Sequence, residues 1–226
     1  MTRSARWAVA ATLPLFWVVG ARTETVASNV VLPVHITRGD TTTTASCTLI
    51  ARDDQPGAVN LYFITAAHLF VPRADERSGP VASVAIDETG RHMAVHPDDV
   101  ILPTGTLVDL ALLRTTVLRS DLVPQPLAFI SPAAGEPFTV TGTAADGGRI
   151  EVPQHVRFAS TLFAIGDRDV SHVSGCIGAA ASTAAGTFGI VTTCEPRKAP
   201  LVTLLGPARA FLERHVRAMR TERTTS

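Results

Sequence analysis

The chain has 226 residues and a formal net charge of zero, from 20 Lys and Arg against 20 Asp and Glu. A composition that is 46% hydrophobic and 18% charged excludes disorder for most of the chain, and the neutral balance offers nucleic acid no general attraction. Three cysteines are too few for a disulfide-built scaffold, and 16 Gly with 15 Pro suit many short strands joined by turns.

In chain order, residues 1–21 read as a secretory signal peptide. Arg3 and Arg6 supply the positive start, Trp7 to Gly20 is uncharged and mostly apolar, and Val19-Gly20-Ala21 is a small-residue cleavage site. Pro14 interrupts the run, which falls short of the roughly 20 apolar residues of a bilayer span. Cleavage leaves residues 22–226, with 18 basic against 20 acidic side chains and no further candidate membrane span. The expectation is a secreted or periplasmic protein in a compartment where disulfides form.

From Val30 onward, β-branched runs alternate with turn clusters. Strands are expected at residues 30–34, 47–51, 61–65, 107–113, 138–142, 150–158 and 189–193. Val81 to Ile86 and His92 to Val95 suggest a hairpin around Asp87 to Gly90, and Asp146-Gly147-Gly148 suggests a hairpin turn. This spacing predicts an all-β barrel or sandwich. Near the C-terminus the period changes. Ala208, Phe211, Leu212, His215, Val216 and Met219 fall on one helical face, and Pro207 suits the first turn. A docked amphipathic helix is expected over about 207–221.

Three segments carry chemistry. Thr65-Ala66-Ala67-His68 ends an apolar strand with a histidine; Asp109-Leu110-Ala111-Leu112-Leu113 sets one acid in an apolar run; and Gly189-Ile190-Val191 follows a glycine-containing loop. A carboxylate in an apolar run is costly unless it is hydrogen-bonded or paired. Together the segments resemble the trypsin/chymotrypsin family of serine proteases, whose marks are T-A-A-H, D-[IL]-A-L-L and G-x-S-G-G-P before a G-I-V strand. The resemblance runs over roughly residues 30–220. It implies an all-β fold of two six-stranded antiparallel barrels, near residues 30–130 and 131–205, with the site between them. It also implies hydrolysis of protein or peptide substrates. His68 would be the base and Asp109 the carboxylate that orients it. Thr192 would stand where the family often has a hydroxyl bonded to that aspartate. No cofactor is implied.

The nucleophile loop, Asp169 to Ala181, admits two alignments. In one, Ser174-Gly175 stands for the family's S-G, and Ser174 is the nucleophile in the order His68, Asp109, Ser174. His172 then replaces the glycine whose N–H serves the oxyanion hole. In the other, Gly175-Cys176-Ile177-Gly178-Ala179 stands for G-x-S-G-G. Both turn glycines are then in place, Gly175 is the oxyanion donor, and Ile177 takes the nucleophile's position with no proton to give. The protein would then be an inactive homologue, a binding or scaffold module. Ser171 and Cys176 are weaker nucleophile candidates. The base of the substrate pocket falls near Arg168 in the first alignment and on Ser171 in the second.

Cys176 and Cys194 flank the following hairpin and suit a disulfide, with Cys47 left as a buried thiol; Cys47 with Cys176 is the other pairing open on sequence. His92 and His96 lie four apart in a strand-like stretch, too far apart along it to share a metal without a third ligand, so no metal is expected.

Overall fold

The computed structural model describes residues 30–72, 80–85, 92–104, 107–144 and 148–216. The signal segment, the tips of the two expected hairpins and the C-terminal tail lie outside them. Strands form two antiparallel sheets. The first holds β1 (Val31–Arg38), β2 (Thr41–Gln55), β3 (Ala58–Thr65), β4 (Val81–Ala85), β5 (His92–Val95), β6 (Val100–Ile101) and β7 (Ala111–Val117), in the order β5-β4-β1-β2-β3-β7-β6. The second holds β8 (Pro137–Thr143), β9 (Arg149–His155), β10 (Phe158–Ala159), β11 (Phe163–Ile165), β12 (Ala180–Thr183), β13 (Gly186–Thr193) and β14 (Leu201–Leu204), in the order β10-β11-β14-β13-β12-β8-β9. Each sheet therefore carries seven strands where the resemblance implied six, the additions being two-residue pieces such as β6 and β10.

The middle of β2, most of β3 and nearly all of β13 are continuously buried because both of their faces are covered. Along β2, Ala45, Cys47 and Leu49 point into the first barrel's core, while Ile50 belongs to a separate cluster on the barrel's outside. Along β3, Val59, Leu61 and Phe63 point inward, while Tyr62 and Ile64 join that outer cluster. The second barrel is filled by Phe138, Val140, Phe188, Val191, Val202 and Leu204. Gly39 and Gly57 turn the first two hairpins at φ +54° and +80°, a region closed to most side chains.

The C-terminal helix packs Leu212 onto the outer cluster beside Ile64, Leu110, Leu112 and Ile190, and so bridges the two barrels. Of the expected helix, residues 217–221 lie outside the described residues. A 3-10 turn at Gly206–Ala208 leads into α1 (Arg209–His215), and Val216 is extended, at φ −105° and ψ 103°. Val216 is wholly buried in the same cluster as Leu212. The strand expected at 107–113 begins only at Ala111, because the backbone before it folds tightly, with Leu110 N–H donating to Val108 O at 3.0 Å. Among the described residues, no helix is long and apolar enough to cross a membrane.

Candidate functional site

Register brings the first two site residues together. β3 pairs with β7 so that Thr65 lies opposite Ala111. The chain beyond the end of β3 therefore meets the chain just before β7. His68 sits in a single 3-10 turn, Ala67–Leu69, and Asp109 in the segment entering β7. The Asp109 carboxylate accepts the His68 backbone N–H at 2.8 Å and faces ring Nδ1 at 2.7 Å. Partial burial alone would raise its pKa. The hydrogen bonds from the His68 ring and backbone, and from Ala67, outweigh burial and hold it below the usual carboxylate range. With Nδ1 engaged, Nε2 is the ring nitrogen left to face a ligand. Arg38 braces the chain after the histidine by donating to Leu69 O at 2.7 Å and Val71 O at 3.0 Å.

The nucleophile loop is a run of tight turns. Val173 N–H donates to Val170 O, Cys176 N–H to Val173 O, and Ala179 N–H to Cys176 O, at 3.0–3.1 Å. Its second half is moulded onto the first barrel. Ser46 N–H on β2 donates to Ile177 O at 2.7 Å, and the Ile177 side chain, half-buried, packs against the cores of both barrels. Gly178 follows at φ +81°, and a Cβ there would lie 1.9 Å from Ser46 O and 2.4 Å from Thr65 Oγ1. Thr65 is three residues before His68, so the Ile177-Gly178 pair is seated at the root of the histidine turn.

Ser174 engages a different partner. Its side chain is exposed, and its hydroxyl reaches Thr143 O at 3.5 Å; among the described residues it has no hydrogen bond to His68. Gly175, its neighbour, is buried and donates its N–H to Thr143 O at 3.0 Å. His172 is exposed on the loop. Thr192, expected near Asp109, turns its hydroxyl to Leu201 O at 3.4 Å and Thr203 Oγ1 at 3.2 Å. β13 bulges against β14 at this point, between Val191 and Thr193, which accounts for the different direction. Ser171 N–H and Arg197 N–H both donate to Asp169, and these hydrogen bonds hold its carboxyl below the ordinary range. Arg168 is exposed.

The disulfide joins Cys176 and Cys194, with S–S 2.05 Å and Cα atoms 6.2 Å apart. It ties the loop, one residue before Ile177, to the end of β13 within the second core. Cys47 is a buried free thiol whose pKa burial pushes far up, so it is inert as a nucleophile. Two residues that the sequence reading missed organise the loop. Ser46 and Thr143 are 97 positions apart, both fully buried, with hydroxyls 3.2 Å from each other. Neither carries a local motif.

No family model matches the sequence, and no curated protein does. Solved structures do resemble the fold. The serine endoprotease from Yersinia pestis superposes with a TM-score of 0.61 at 19% identity, over 84% of this chain and 64% of that one, so this chain spans less than two thirds of its length. The Rv3671c protease in an inactive form gives 0.55 at 16% identity, over 83% of this chain and 89% of that one. Kallikrein-related peptidase 10 in complex with Zn2+ gives 0.56 at 13% identity, over 82% of this chain and 95% of that one. The paired antiparallel sheets, the C-terminal helix and these superpositions identify the chain's architecture as the trypsin-like serine protease fold.

Proposed function

We propose that the protein is an exported, catalytically inactive protease homologue that keeps the His68–Asp109 pair and binds a protein or peptide ligand. The observation that carries this reading is the seat of the Ile177-Gly178 pair against Ser46 and Thr65. It supports the alignment in which both loop glycines keep their places and Ile177 stands for the nucleophile. An isoleucine side chain has no proton for His68 to take and no lone pair to attack a carbonyl. The spacing of Gly175 and Gly178 is also hard to explain otherwise, since neither position has room for a Cβ.

The intact His68–Asp109 pair favours the second reading, a serine endopeptidase using Ser174. Its mechanism would have His68 Nε2 take the hydroxyl proton as Oγ attacks, while Asp109 holds Nδ1–H and stabilises the imidazolium. A loop rearrangement would be required first, because the Ser174 hydroxyl is directed at Thr143 O.

A fluorophosphonate probe separates the two readings. Applied to the folded wild-type protein beside Ser174→Ala and His68→Ala, it is expected to label none of the three. Wild-type labelling that disappears in both variants would establish Ser174 as an activated nucleophile and overturn the proposal.

A further inference from the structure

The carbonyl oxygen of Thr143 accepts two hydrogen bonds from the loop: Gly175 N–H at 3.0 Å and the Ser174 hydroxyl at 3.5 Å. Each donor is one that catalysis would need. With Ile177 in the nucleophile's place, Gly175 N–H is the oxyanion donor; with Ser174 as nucleophile, the hydroxyl is the attacking group. A single backbone oxygen thus engages the critical group of either alignment.

We propose that the Thr143 carbonyl is a built-in autoinhibitory contact, an internal oxygen seated on the oxyanion donor, and that Ser46 is the residue that holds it there. The proposal rests on the Ile177 reading and adds to it a second block, independent of the missing nucleophile. The Ser46 hydroxyl has one proton and two lone pairs. The proton goes to Gly175 O at 2.5 Å, and the lone pairs receive Thr143 N–H and the Thr143 hydroxyl, each at 3.2 Å. One side chain therefore fixes both partners of the closed contact. Its own backbone is fixed in turn, by Ile177 O on its N–H and Thr65 Oγ1 on its carbonyl. Ser46 is 0% and Thr143 1% exposed, so water does not compete for these bonds. The approach is close enough that a Cβ on Gly175 would lie 2.2 Å from Thr143 Oγ1.

The test returns a hydroxyl to position 177 with the contact present and absent. Ile177→Ser alone is expected to resist a fluorophosphonate probe. The double variant Ser46→Gly/Ile177→Ser, in which Thr143 and Gly175 are released, is expected to react about tenfold more at position 177, located by peptide mass spectrometry. Equal labelling of single and double variants would overturn the closed contact and leave the alignment standing. Wild-type labelling at Ser174 would overturn the alignment itself. Amide hydrogen exchange supplies a readout that survives a poorly folded double variant. The Gly175 amide is expected to exchange about tenfold faster in Ser46→Gly than in wild type, with the β3 core amides unchanged. Equal rates at Gly175 would sink the proposal.

Discussion

Asp109 grips His68 at two points, the backbone N–H and ring Nδ1, and so sets both the position of the turn and the direction of the ring. The carboxyl's lowered pKa makes this grip dependent on pH. A carboxylate depressed by folding contributes stability that is fully present above its unfolded pKa, near 3.9, and is lost as pH falls through the lower folded value. Asp109→Asn is therefore expected to cost about 1 kcal/mol at neutral pH. The gap to wild type should shrink below about pH 4. Urea unfolding at neutral and at acidic pH reads it; an unchanged gap would mean that the charge on Asp109 contributes nothing.

Gly178 and Ser174, four positions apart, should respond oppositely to alanine. At Gly178 the backbone is left-handed and the added Cβ would strike Ser46 O, so Gly178→Ala is expected to cost about 3 kcal/mol or more. Ser174 is exposed and makes one long contact, so Ser174→Ala should stay within about 0.5 kcal/mol of wild type. Thermal or denaturant unfolding of the two variants checks both values.

Thr48 is fully buried, and among the described residues its hydroxyl has no hydrogen-bond partner. Valine has nearly the same shape without the orphaned oxygen. Thr48→Val is expected to stabilise the protein by about 1 kcal/mol. A loss of stability on denaturant unfolding would show that an ordered water or alternative rotamer satisfies the hydroxyl.

The Cys176–Cys194 bridge joins residues 18 positions apart in the chain. Replacing both cysteines by serine should cost about 3 kcal/mol, chiefly through the greater freedom of the unfolded chain. A thiol reagent should find no reactive cysteine in the folded, oxidised protein, because Cys47 is buried and its thiol stays protonated. One thiol should become reactive on unfolding. Two further reactive thiols without a reductant would mean that the bridge had not formed.

Much of the fold was legible because its signals are local. β-branched runs between turn residues mark strands wherever they finally pair, and the T-A-A-H and D-L-A-L-L segments name His68 and Asp109 before any contact is known. Boundaries were less legible. The strand expected at 107–113 forms at 111–117, and the helix expected over 207–221 gives way to extended backbone at Val216; a tight backbone turn at Val108–Leu110 and the burial of Val216 are effects of packing.

The amino-acid sequence by itself determined the strand-rich architecture, the candidate base and carboxylate, and the two possible alignments of the loop. Those follow from residue type and spacing along the chain. Between the alignments it was silent, because glycine spacing and a serine in a serine-containing loop are both local features and they disagree. What only the tertiary structure decided is which loop atoms meet the other barrel. Ser46 and Thr143 lie 97 positions apart and carry no motif, yet their buried hydroxyls meet, the Ser46 hydroxyl donates to Gly175 O and the Ser46 backbone N–H to Ile177 O. A contact of that kind exists only after the two barrels have packed, when buried polar atoms must find partners or leave their desolvation uncompensated.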